Sequence, residues 1–169
     1  MKKIGIVFGT TSGTTERIAQ QIAQMLGVSS TDIWDAGKIK PENITPYEVL
    51  ILGSSTWGDG ELQDDWYDGV KTLKKCDLTG KKIALFGCGD SESYSDTFCD
   101  AVGLLYNELK ESGCLFVGNN VDPQEYTFSS SIAMIDGVFV GLPLDEMNES
   151  HKTADRLRHW LQMLQKQLL

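Results

Sequence analysis

The chain has 169 residues, 41% of them apolar and 23% charged, and carries a formal net charge of −9. That length suits one domain spanning 1–169 with a substantial core. Such acidity argues against a nucleic-acid binder, which needs a basic face to displace counterions.

Lys3–Phe8 is a nearly continuous apolar run, as in a strand buried on both faces. Ile18, Ile22 and Leu26 recur every fourth residue beside Ala19 and Ala23, predicting a helix that Gly27 ends. Thr31–Trp34 reads as an edge strand, and Ala36–Pro46, with two prolines, as connection holding at most one helical turn. Val49–Leu52 is the third strand. Trp66, Val70 and Leu73 then sit at helical spacing, with Asp64 and Asp65 at the positive helix start. Lys82–Cys88 is the fourth strand. Phe98, Val102, Leu105 and Leu109 line the next helix, which Gly113 ends, and Cys114–Val117 begins a fifth strand. Regularity breaks over Gly118–Asp136 and resumes as a strand at Gly137–Leu142. Ala154, Leu157, Leu161, Leu164 and Leu168 form an amphipathic last helix. This alternation predicts an α/β fold, a doubly wound five-stranded parallel sheet with helices on both faces, in the common order 2-1-3-4-5.

No apolar run is long enough to span a bilayer. Cys76, Cys88, Cys99 and Cys114 lack metal-ligand spacing and read as reduced thiols; with no export signal, the expected compartment is the cytoplasm. Trp34, Trp66 and Trp160 read as packing residues, and His151 and His159 are too far apart to share a metal.

In such a sheet a ligand binds where the strand order reverses, at the carboxyl ends of the strands. Three loops expected there are unusual. Gly9–Thr10–Thr11–Ser12–Gly13–Thr14–Thr15 brings five hydroxyls and two glycines to a helix start. Amides, hydroxyls and the helix dipole suit a phosphate there. The Gly-Lys-Ser/Thr ending of a triphosphate loop is missing, so the fit is to one terminal phosphate held by neutral donors. Ser54–Gly60 exposes Trp57, and Gly87–Tyr94 offers Tyr94 beside tight glycine turns. A phosphate cradle and two aromatics on one edge describe a clamp for a planar heterocycle with a phosphate tail.

At these loops the sequence resembles the flavodoxins. The resemblance rests on Ile6–Thr15 followed by Ala19 and Ile22, on Ser55–Thr56–Trp57, on Phe86–Asp90 with Tyr94, and on Phe139–Leu142 with Leu144–Asp145–Glu146. The break at Gly118–Asp136 resembles the fifth-strand insertion of the long-chain type. The resemblance implies FMN as cofactor, with the phosphate on Thr10, Thr11, Ser12, Gly13, Thr14 and Thr15. Trp57, with Thr56 before it, would cover the inner ring face and Tyr94 the outer. Gly58, Asp59 and Gly60 would lie near flavin N5. Cys88, Gly89, Asp90, Thr97 and Cys99 would lie along the pyrimidine edge, with Asp90 as a hydrogen-bonding group and Cys99 bringing a small thiol. Gly58 is a less usual residue there, and Met147 is assigned no contact.

The resemblance further implies a low-potential electron carrier with no substrate turnover, working on the semiquinone/hydroquinone couple. Gly58 would let a carbonyl turn toward N5. Two acidic groups, Asp59, Glu61, Asp64, Asp65 and Asp68, and Asp90, Glu92, Asp96 and Asp100, would disfavour the reduced anion and attract basic redox proteins, a flavodoxin reductase and electron acceptors. A monomer without membrane or nucleic-acid partners is expected. An FMN-dependent quinone or azo reductase is the alternative enzyme reading. A phospho-acceptor domain is disfavoured because the first strand ends in Phe8–Gly9–Thr10 rather than an aspartate.

Overall fold

The structure, a computed structural model, describes residues 2–169. In chain order the elements are β1 (Ile4–Gly9), α1 (Thr14–Leu26), β2 (Ile33–Asp35), α2 (Pro41–Ile44), β3 (Val49–Trp57), β4 (Glu61–Leu62) and α3 (Asp65–Lys74). There follow β5 (Lys82–Cys88), α4 (Asp100–Leu109), β6 (Leu115–Val117), β7 (Met134–Ile135), β8 (Val138–Phe139), β9 (Leu142–Leu144) and α5 (Thr153–Leu168).

The sheet runs β2-β1-β3-β5-β6 with every neighbour parallel, the order read from the sequence. Alternate residues of each strand feed two cores. Ile6, Ile51 and Ala84 pack under α1 and α5 with Ile18, Ile22, Leu157 and Leu161; Val7, Leu50 and Leu85 pack under α3 and α4 with Trp66, Leu73 and Leu105. Each such aliphatic side chain, fully withdrawn from water, contributes about 1.5–3 kcal/mol, so the central strands are the most firmly held part of the chain. Trp66 and Trp160 are core residues, as expected, and half-buried Trp34 donates its indole N–H to Tyr47 Oη at 2.8 Å.

Several predicted boundaries move. The segment Ser30–Asp32 is a 3-10 turn, its start held by Ser29 Oγ accepting from Thr31 N–H, so β2 begins at Ile33. Strand β3 runs on to Trp57 and folds back antiparallel into β4, pairing Thr56 with Leu62 and Trp57 with Glu61. Phe98 lies outside α4. Cys99 takes a left-handed φ of 53° between them, and Phe98 instead joins Tyr126, Phe128 and Phe139 in an aromatic cluster.

The fifth track of the sheet is split. Strand β6 pairs with Lys82–Ala84 of β5, and β9 resumes beside Phe86–Cys88. The predicted strand Gly137–Leu142 is therefore wrong in detail: Val138–Phe139 pairs with Met134–Ile135 in a separate hairpin, and the track resumes only at Leu142. Asp136 and Gly137, both at positive φ (54° and 83°), make its two-residue turn.

Candidate functional site

The first loop lies between β1 and α1. Gly13 caps the helix at φ 91°, and a Cβ there would meet nothing within 4 Å; conformation, not crowding, calls for glycine. Gly13 N–H donates to Thr10 Oγ1 at 2.9 Å, and Gly13 C=O accepts from Arg17 N–H at 3.0 Å, closing the first turn. The amides of Thr14, Thr15 and Glu16 find no acceptor among the described residues. They stand at the positive end of the helix dipole, where an anion is favoured. Ser12 Oγ and Thr14 Oγ1 lie 3.4 Å apart at the surface, whereas Thr15 is fully buried and its hydroxyl has no conventional partner. Arg17, the nearest cation in sequence, is paired at 2.9 Å with Glu146, so the loop's free donors are neutral.

The second loop is shorter than predicted, because Ser54–Trp57 belong to β3. Only Gly58, Asp59 and Gly60 turn the chain, with φ of 50° and 90° at the two glycines. A Cβ on Gly60 would fall 2.6 Å from Asp100 Oδ2; at Gly58 the nearest atom would be 3.8 Å away, in Glu61. Trp57 is 44% exposed and donates its indole N–H to Ser55 Oγ at 2.8 Å, which orients the ring. Thr56 Oγ1 accepts from Ala101 N–H at 3.0 Å, docking the start of α4 on this hairpin.

The third loop follows β5. Asp90 Oδ1 accepts from Ser93 N–H at 2.9 Å, Glu92 N–H at 3.2 Å and Asn148 Nδ2 at 2.8 Å. Burial opposes its ionisation, but these donors together hold the carboxyl below the usual carboxylate range. The fully buried Asp145 accepts from the Ser91 backbone N–H at 3.1 Å and from the Ser91 hydroxyl, tying this loop to the end of β9. Tyr94 stands 51% exposed at the outer end. The Cys99 thiol turns inward, toward Gly87 C=O and Leu144 C=O. The thiol expected along the pyrimidine edge therefore points into the core instead, although the Cys99 backbone stays near Gly89. Burial pushes Cys88 up to about 12 and Cys99 well above the ordinary thiol value.

The three loops meet around one open cavity of about 230 Å³. Ser12 and Thr14 line it from the first loop, Thr56, Trp57 and Gly58 from the second, and Cys88, Gly89, Asp90, Tyr94 and Thr97 from the third. Thr10, Thr11, Gly13, Thr15, Asp59, Gly60 and Cys99, also predicted, do not line it. Ser55, Glu146 and Met147 also line it and were not among the predicted site residues. Glu146 and Met147 follow the carboxyl end of β9, so applying the strand-end rule to the fifth track would have found them. A larger hollow of about 900 Å³ beside Ile4 and Leu168 lies at the opposite sheet edge, without a hydroxyl-rich helix start. Of the predicted acidic groups, Asp59, Glu61, Glu92 and Asp96 are exposed and lie close in sequence or strand pairing to residues that line the cavity. Asp64 and Asp68 are exposed at the start of α3, Asp65 and Asp90 are partly buried, and Asp100 is buried and belongs to the framework. Burial raises its pKa, against the opposing hydrogen bonds from Ile132 N–H and Ser131.

Among the described residues no group of histidine, cysteine or carboxylate side chains could hold a metal, and no helix is long and apolar enough to cross a membrane. The family described as Flavodoxin matches residues 6–160. Flavodoxin 1 of Azotobacter vinelandii is 40% identical over 173 residues, covering 100% of this chain and 99% of the relative. Flavodoxin 1 of Escherichia coli K12 is 39% identical, covering 97% and 93%. Among solved structures, flavodoxin from Fusobacterium nucleatum bound to flavin mononucleotide superposes with a TM-score of 0.87 at 29% identity, covering 99% of each chain.

Proposed function

The chain belongs to the flavodoxin family, and on that footing we propose how its own residues serve an FMN-dependent electron carrier. The observation on which the site assignment rests is that Ser12 and Thr14 share one cavity with Trp57 and Tyr94. A phosphate-binding helix start and two exposed aromatic rings thus face the same space. The residues fit the cofactor: unpartnered amides and hydroxyls suit a monophosphate, and the aromatic rings offer apolar faces to a flat ring.

FMN, when bound, would supply one-electron redox chemistry, and the protein acts as a carrier that turns over no substrate of its own. The amides of Thr14, Thr15 and Glu16, with the hydroxyls of Ser12 and Thr14, hold the phosphate. Trp57, fixed by Ser55, and Tyr94 flank the ring and exclude water from it. Gly58, at a φ that L side chains rarely adopt, leaves its peptide free to turn its carbonyl toward a protonated ring nitrogen. The exposed carboxylates of Asp59, Glu61, Asp64, Glu92 and Asp96 make added negative charge costly, which favours a strongly reducing carrier.

Redox partners follow from the family. We assign those partners basic docking faces, on the grounds of those exposed carboxylates and the net charge of −9. The chain acts as one FMN-binding unit over 1–169, a cytoplasmic monomer of the long-chain type; the 118–141 excursion between β6 and β9 supports the last assignment. Flavin fluorescence titration tests the site. FMN should be quenched at one equivalent per chain, and Trp57→Ala should weaken binding about 10–100-fold, by analogy with stacking energies of about 1–3 kcal/mol. Unchanged affinity in Trp57→Ala would remove Trp57 from the site.

A further inference from the structure

Gln63 is 3% exposed and has no direct access to the cavity, yet it joins two of its three loops. Its Oε1 accepts from Asp65 N–H at 2.9 Å, and its Nε2 donates to Thr10 C=O at 3.1 Å. Both partners are backbone groups of fixed polarity, so the amide can sit only one way round. Nε2 also reaches Thr11 Oγ1 at 3.2 Å and Asp65 Oδ2 at 3.0 Å. On the other side, Gln63 N–H donates to Ser54 Oγ at 3.3 Å, and the preceding Leu62 pairs with Thr56 beside Trp57. Gly9 makes room for the arrangement, since a Cβ there would lie 2.5 Å from Gln63 Oε1.

We propose that Gln63 is a positioning residue that couples the phosphate half of the site to the ring half, so that filling one strengthens binding at the other; the proposal rests on the FMN reading above. The peptide unit is planar and trans, so the Thr11 N–H points opposite to the Thr10 C=O that Gln63 holds. Fixing that carbonyl therefore aims the Thr11 amide away from Gln63. Any shift of the loop on taking up an anion pulls on the same amide, and through its backbone on β4 and on the turn Gly58–Gly60. Glutamine is specific for this task. Glutamate would keep the volume but place a carboxylate oxygen against Thr10 C=O, and leucine would leave both backbone partners unpaired.

The test uses the full chain freed of flavin, with riboflavin and inorganic phosphate as separate probes of the two halves. In the wild type, saturating phosphate should tighten riboflavin binding about 5–10-fold, a modest coupling. In Gln63→Leu and Gln63→Glu that factor should fall to about 1, while riboflavin affinity without phosphate should change far less than FMN affinity, which should drop about tenfold. A factor retained in the variants, or absent from the wild type, would overturn the coupling and leave Gln63 a packing residue. Failure of the wild type to bind FMN at all would instead overturn the flavin reading. Should neither variant fold, nuclear magnetic resonance of the wild type decides: phosphate must shift both the Gln63 side-chain amide and the Trp57 indole signals, and a silent Trp57 signal overturns the proposal.

Discussion

Asn148 Nδ2 donates to Asp90 Oδ1 at 2.8 Å, clamping the loop that bears Tyr94 to the segment after β9. The same carboxylate oxygen accepts the Ser93 and Glu92 amides. Asp90 Oδ1 is thus occupied in shaping its own loop. Asp90→Asn keeps an acceptor oxygen and should leave flavin affinity within about threefold. Asp90→Ala removes the acceptor for three donors and should cost about 1–2 kcal/mol of stability, with weaker FMN binding. Denaturant unfolding and FMN titration of both variants check this; equal losses in both would mean the charge itself contacts the ligand.

Gly58 has a positive φ, and a Cβ there would meet only the Glu61 side chain at an ordinary contact distance of 3.8 Å, so substitution strains the backbone without a clash. In Gly58→Val the peptide should lose its freedom to turn, at a cost of about 1–2 kcal/mol. That is roughly 40–90 mV in a one-electron step. Potentiometric titration should show the separation between the two one-electron potentials changing by this order, with FMN affinity in the oxidised state nearly unchanged.

Asp100 supplies a pH signature. Its folded pKa is raised by burial, so between the unfolded value and the folded one the native state binds more protons than the unfolded chain. Its contribution is most favourable below the ordinary carboxylate range and is lost as pH rises through the folded pKa. Asp100→Asn keeps an oxygen for Ile132 N–H and removes this titration. Thermal unfolding across mildly acidic to neutral pH should show the variant gaining on the wild type as pH rises; a constant offset would contradict the assignment.

Thiol chemistry provides a fourth check. Cys88 and Cys99 are buried, with pKa values raised by that burial. Both should resist alkylation at pH 8 in the native chain while Cys76 and Cys114 react slowly, and all four should react after denaturation. Rapid native modification of Cys99 would place its thiol back in the site.

Much of the fold was legible in the residues themselves. Strands buried on both faces, such as Lys82–Cys88, announce themselves as apolar runs, and Ile18, Ile22 and Gly27 mark a helix and its end. What stayed hidden depended on tertiary pairing. Ser54–Thr56 reads as a loop because its residues are small and polar, yet pairing with β5 and β4 keeps the chain extended to Trp57. Phe98 has helical spacing with Val102, but the left-handed Cys99 breaks the helix between them. Asp100 looks like one more surface acid until Ile132 N–H, from the 118–141 excursion, comes back to meet it at 2.9 Å. The positive-φ pair Asp136–Gly137 turns a hairpin inside what reads as one strand over Gly137–Leu142, and Met147, assigned no contact, lines the site because β9 brings the fifth track's carboxyl end beside it.

Nothing probes the flavin assignment as squarely as the absorbance spectrum of the purified protein during stepwise reduction. One FMN per chain should be reduced in two resolved one-electron stages, with no oxidation of a nicotinamide cofactor unless a separate reductase is added. A colourless protein that ignores added FMN, or one that oxidises NAD(P)H rapidly by itself, would contradict the assignment.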